Sequence, residues 1–122
     1  MKIPGPDHPI TITPARERVR IMLNGLPVAE TTRALVLQEA AYKPVFYIPR
    51  EDAQTTLFER TTNSTHCPYK GDASYYTIKV GDRAAENAIW SYETPFPAMA
   101  EIAGYLAFYP NRVDAIEVTP AR

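Results

Sequence analysis

One cysteine and two histidines in 122 residues leave little material for metal or redox chemistry. A lone thiol excludes an intramolecular disulfide and a Cys-x-x-Cys pair, and His8 and His66 stand too far apart for any familiar zinc spacing. No metal and no cofactor are expected. A charge excess is also missing. Lys and Arg number 13 against 14 Asp and Glu, and the formal net charge of -1 gives no general attraction to phosphate backbones or acidic membranes. Neither nucleic acid nor membrane is an expected partner. No run approaches the roughly 20 apolar residues of a bilayer span. The opening MKIPGPDHPITITP is broken by prolines where a signal peptide needs an apolar stretch, so a cytoplasmic protein is expected. Neither Gly-x-x-x-x-Gly-Lys, Gly-x-Gly-x-x-Gly nor the Gly-x-Ser-x-Gly nucleophile elbow occurs.

What the chain has in quantity is short runs of β-branched and aromatic residues between turn signals. Its length suits one domain, burying about two thirds of the unfolded surface. Residues 1–17, with Pro4, Pro6, Pro9 and Pro14, read as an extended arm along the surface, because each proline fixes its own φ and pushes its predecessor toward extended geometry. Residues 18–118 form the domain and 119–122 a tail. In RVRIMLNGLPVAET, Val19, Ile21 and Leu23 alternate with Arg18, Arg20 and Met22 up to Asn24-Gly25, a strong hairpin signal. RALVLQE fits a strand or a helical turn, with strand favoured. PVFYIP, confined by Pro44 and Pro49, reads as a short strand with an end near a sheet edge. TLFERTT, SYYTIKV and NAIWSYE also read as strands, the last two forming a hairpin across residues 81–86, and VDAIEV closes the domain. Only AMAEIAGYLA has helical spacing, through Met99, Ile102, Ala103 and Leu106, with Pro97 at its start and Gly104 limiting its length. The expectation is a mainly β fold: a single compact antiparallel β domain, a sandwich or open barrel, with one short helix near the C-terminus.

Chemistry concentrates around STHCPYKGDASYY. Tyr42, Tyr47, Tyr69, Tyr75, Trp90 and Tyr92 flank the cysteine loop, and each brings an apolar face with one polar tip, as suits a pocket wall or a half-buried sheet. Cys67 reads either as a small core hydrophobe or as a nucleophile whose pKa His66 or Lys70 lowers, His8 being the other histidine that can reach it. Lys70 and Gly71 stand where loop becomes strand, with Gly71 free to take a positive φ and Lys70 free to meet an anion, or to pair with Asp72 in solvent. Asp52 fits a turn cap or a general base.

Four ordered blocks carry a resemblance: YIPRED at 47–52, THCPYKGDASYY at 65–76, WSYETPFP at 90–97 and IAGYLAFYPNRVD at 102–114. Together they resemble the domain of unknown function 427 family over about residues 18–118. The resemblance implies a compact, mostly β fold of the β-tent group, with which methionine sulfoxide reductase B enzymes and the thalidomide-binding domain of cereblon are grouped. It singles out Tyr47, Pro49, Asp52, Thr65, Cys67, Pro68, Lys70, Gly71, Trp90 and Tyr92. The Cys-x-x-Cys pairs that hold zinc in parts of that group are absent here, so zinc is not carried over. A nucleotidyltransferase-like label also attaches to the family, but this chain shows no paired-aspartate metal site and no Gly-Ser signature of that chemistry.

Three readings follow. The leading one is a binding site for a small polar or anionic molecule, contacted by Lys70 and Asp52, with Thr65, Gly71 and Tyr75 in the same region and Tyr47, Trp90 and Tyr92 as walls. The second is an enzyme using Cys67. The third is an interaction module whose sheet edge pairs with another chain, including its own copy as a homo-oligomer.

Overall fold

The computed structural model describes residues 1–121; Arg122, the end of the expected tail, lies outside the described residues. Ten strands lie among these residues: β1 (Ile10–Pro14), β2 (Glu17–Leu23), β3 (Leu26–Thr31), β4 (Leu35–Glu39), β5 (Val45–Tyr47), β6 (Phe58–Cys67), β7 (Gly71–Val80), β8 (Arg83–Ser91), β9 (Ala107–Phe108) and β10 (Ala115–Pro120). Every pairing is antiparallel, as expected, but the strands fall into three sheets, ordered β1-β4-β5, β10-β2-β3 and β6-β7-β8-β9. The Asn24-Gly25 hairpin forms. Its residues take φ of 51° and 79°, the left-handed pair whose turn matches the twist of the flanking strands. Pro27 follows in β3, an edge strand, at a break in the register with β2, where a missing N–H is tolerated. RALVLQE is strand β4, and PVFYIP gives β5, itself an edge.

Three segments differ from expectation. The proline-rich arm is part of a sheet, since β1 pairs with β4 through Ile12 opposite Leu37, and residues before it fold over the cysteine loop, Lys2 N donating to Pro68 O at 2.7 Å. The tail begins later than residue 119, because Thr119 and Pro120 still pair with β2. The short helix is a 3₁₀ segment, Pro97–Ile102, started by Pro97 as expected but interrupted where Met99 takes φ of -111°. Gly104, at φ of 77°, turns the chain out of it, and Leu106 is drawn into a two-way backbone bridge with Ile48.

The four-stranded sheet explains why two cores exist. The register of β7 with β8 shifts between Tyr76 and Ile78, where Asn87 takes φ of 48° and its N–H donates to the Thr77 hydroxyl. A bulge changes which residues face inward. On one side of it Ile78, Val80 and Ala85 pack against Val19, Ile21 and Leu23 of β2, and Ile89, paired with Tyr76 across the bulge from them, joins the same cluster. On the other, Ala73, Tyr75 and Tyr92 pack against Leu37 and Tyr47 of the β1-β4-β5 sheet. The second core is incomplete, and its gap is the site.

Candidate functional site

Tyr75, Trp90 and Ala107 are successive cross-strand neighbours in β7, β8 and β9, so their side chains stand on one face. Two residues along, Tyr92 and Tyr109 repeat that face. Opposite lie Leu37 and Glu39 of β4 with Val45 and Tyr47 of β5, in each case two residues apart and on one side of their strand. Between the faces is a cleft of about 260 Å³, with Tyr42 and Lys43 also lining it.

An ion pair lines this cleft. Lys70 is only 7% exposed, and its ammonium donates to Glu39 Oε1. The second oxygen, Oε2, is 2.7 Å from His8 Nε2, and the His8 ring stacks on Tyr69 at 4.2 Å between centroids. Lys70 Nζ also lies 3.8 Å from Cys67 Sγ and 6.0 Å from the centre of the Tyr92 ring. Burial pushes the Glu39 carboxyl up, but the hydrogen bonds from Lys70 and His8 outweigh it, and the net shift is downward. Glu39 is therefore a carboxylate at neutral pH.

Phenols supply the remaining polar surface. Tyr47 accepts from Trp90 Nε1 at 3.3 Å, which leaves its own proton free, while Tyr75 is hydrogen-bonded to Thr65 at 2.9 Å and Tyr109 at 3.2 Å. Burial pushes both Tyr47 and Tyr92 well above the ordinary phenol value, and burial with the bond to Tyr75 pushes Tyr109 up to about 12. All three stay protonated and can donate. With Lys43 and Lys70 against Glu39, the lining carries one more positive charge than negative. Among the described residues no three His, Cys, Asp or Glu side chains gather in a way that holds a metal ion.

Of the residues singled out from sequence, Tyr47, Lys70, Tyr75, Trp90 and Tyr92 line the cleft. Thr65 and Cys67 stand behind it, touching Tyr75 and Lys70. Gly71 begins β7 at φ of 112°, the positive φ expected of it. Asp52 is elsewhere: it accepts from Thr31 at 2.6 Å and from Arg33 at 3.0 Å, and the fold does not bring it to Lys70. Asp72 does not pair with Lys70 either. It faces His66 across β6 and β7 at 2.7 Å on the exposed side, which also turns His66 away from Cys67. Glu39 and Tyr109 were not anticipated. Glu39 had a signal, because Leu35, Leu37 and Glu39 share one face of β4, and a carboxylate on a buried face requires a partner.

Antiparallel sheets enclosing a tyrosine-lined cleft, with a largely buried lysine–glutamate pair in its wall, define a small all-β domain with a concave site. The chain belongs to the family described as domain of unknown function (DUF427), whose model matches residues 11–119. No curated protein matches it.

Proposed function

We propose that the protein binds a small polar or anionic molecule in this cleft, with Lys70, Tyr47 and Tyr92 as donors and Trp90 and Tyr109 as walls. The observation that carries the reading is the Lys70–Glu39 pair, a buried lysine and a half-buried glutamate placed at a cleft rather than in a closed core. Apolar residues of similar volume stabilise an interior at least as well as a buried ion pair, so the pair is better accounted for by recognition than by stability. The protonated phenols point to a ligand rich in acceptors. Thr65, Cys67 and Gly71 support the site from behind, and Asp52 has no part in it. The β-tent likeness belongs to the same proposal, supported by separate sheets meeting over one cleft, as does a cytoplasmic location, which suits a single free thiol.

The test is a titration of the ¹⁵N-labelled chain with small carboxylates and phosphates. Saturable shifts centred on Glu39, Tyr47, Lys70 and Tyr92 are expected, with Tyr92→Phe weakening binding about tenfold at unchanged stability. Weak shifts scattered over the surface, without saturation, would remove the cleft from consideration.

A second reading, thiol chemistry at Cys67, is favoured by the 3.8 Å approach of Lys70 Nζ to Sγ. A cation at that distance stabilises a thiolate. The rate of alkylation against pH, in the native chain and in Lys70→Met, decides it. A reactive native thiol that Lys70→Met slows supports the reading, whereas a thiol that reacts only on unfolding removes it.

A further inference from the structure

Trp90 and Val45 line not only the cleft but also a second hollow of about 220 Å³. The other walls of that hollow are Ile21, Pro44, Phe46, Phe108, Pro110 and Ile116, without a charge or a hydroxyl among them. The topology explains its position. Edge strands β5 and β9 meet at the Ile48–Leu106 bridge, with N–O distances of 2.7 and 2.8 Å, and among the described residues no further rung joins them. Past that bridge the hollow lies between Phe46 on one strand and Phe108 on the other, at the seam between the two cores. Ile21 and Ile116, paired across β2 and β10, close its far side. Pro44 and Pro110 add walls with no backbone N–H to donate.

Two adjoining hollows of opposite character therefore share one wall. The cleft offers ammonium and phenol donors, and the hollow offers mainly carbon surface. The one polar atom that the Trp90 side chain brings, Nε1, is already turned to Tyr47. Water filling the hollow finds almost no side-chain partner there, while an apolar group gains by displacing it.

Building on the cleft reading above, we infer that the ligand is an amphipathic small acid: its acceptor-bearing head lies among Lys70, Tyr47 and Tyr92, and an alkyl or aryl-alkyl arm passes Val45 and Trp90 to fill the hollow between Phe46 and Phe108. The shared wall makes one molecule the economical occupant of both. Selectivity follows from the division, because a short polar acid leaves the hollow wet and a hydrocarbon leaves the phenol donors unanswered.

The experiment titrates the full ¹⁵N-labelled chain with acetate, butanoate, hexanoate and octanoate, each kept monomeric. Affinity is expected to rise about fourfold per added methylene until the hollow is full. Shifts at Phe46, Phe108 and Ile116 are expected only from the longer members. Phe46→Ala should lower the affinity for hexanoate toward that for acetate while leaving acetate unchanged, and Ile116→Thr, on another wall, provides the same comparison if Phe46→Ala fails to fold. Affinity that stays flat along the series, with saturable shifts still centred on Lys70 and Tyr92, overturns the arm and leaves the cleft reading standing. Absence of saturable binding by every acid overturns both.

Discussion

Trp90 donates to the Tyr47 hydroxyl across 3.3 Å, and the two rings meet nearly edge-on, at 84° with centroids 6.4 Å apart. The contact joins the four-stranded sheet to the edge strand of another, since Trp90 lies on β8 and Tyr47 on β5. It also orients the site. Tyr47 keeps its proton for a ligand because its oxygen accepts from the indole, and the indole spends its only donor there. Tyr109 also packs on Trp90, with ring centroids 4.4 Å apart, so the indole that lines both hollows is held by two tyrosines.

Removing that acceptor should be measurable. Tyr47→Phe keeps the ring and deletes the oxygen, and about 1 kcal/mol of stability should be lost in urea denaturation. Trp90 is the sole tryptophan, so its emission reports the site directly. A shift in emission maximum is expected, and an unchanged spectrum with unchanged stability would mean that the bond does not form in solution.

The ion pair makes a sharper prediction. Lys70→Met leaves Glu39 with His8 alone, and breaking this part-buried pair on one side should cost about 2 kcal/mol. Adding Glu39→Leu to Lys70→Met removes the stranded carboxylate and should recover most of that loss. Denaturation of the single and double variants checks it. A double variant as unstable as the sum of both singles would show that the two charges are not coupled.

Acid should weaken the fold through several carboxylates together. Glu39 and Glu93 are each pushed up by burial but drawn further down by hydrogen bonds, from Lys70 and His8 in one case and mainly from Tyr76 and Ser74 in the other, aided by Arg60 and Arg50. Asp52 is drawn down by Arg33 and Thr31. A carboxyl lowered in the folded state contributes stability that is complete above its unfolded value and disappears as pH falls through its folded value. Thermal stability should thus be level from neutral pH to about pH 5 and decline below about pH 4. Glu39→Gln should be less stable at neutral pH and lose less on acidification; an identical pH profile for both chains would count against the ionised pair.

Much of this was legible in the sequence, for reasons that differ by residue. Asn24-Gly25 announces its hairpin because both positions need positive φ, and Pro44 and Pro49 confine β5 because they cannot continue a ladder. Trp90, Tyr92 and Lys70 stood out by type. What local pattern cannot carry is which strand lies beside which. Glu39 meets Lys70 only because β4 shares a core with β7, Leu37 clustering with Ala73 and Tyr75, and Asp52 is captured by Arg33, 19 residues earlier, through the approach of β3 to its turn. The 3₁₀ segment was misread for a related reason. AMAEIAGYLA has helical spacing, but Leu106 forms a tertiary bridge to Ile48 that outweighs local propensity.

Gly71 brings backbone and site together. At φ of 112° it occupies a region that side-chain-bearing residues rarely adopt, and an added Cβ would lie 3.5 Å from Phe96 N and 3.6 Å from Pro95 Cα. The same Phe96 N–H donates to Lys70 O at 2.9 Å, so the chain that follows β8 holds the residue before Gly71 in place. Gly71→Ala should cost about 2 kcal/mol from the backbone conformation and should also shift the Lys70 and Glu39 amide signals, because relaxing φ moves Lys70. Gly25→Ala is the comparison. Its φ is 79°, nothing lies within 4 Å of its added Cβ, and it sits in a hairpin turn outside the cleft lining. It should cost about 1 kcal/mol and leave the Lys70 and Glu39 signals where they were. If the two variants perturb those signals equally, Gly71 serves the fold alone; if only Gly71→Ala does, the glycine is what delivers Lys70 to Glu39.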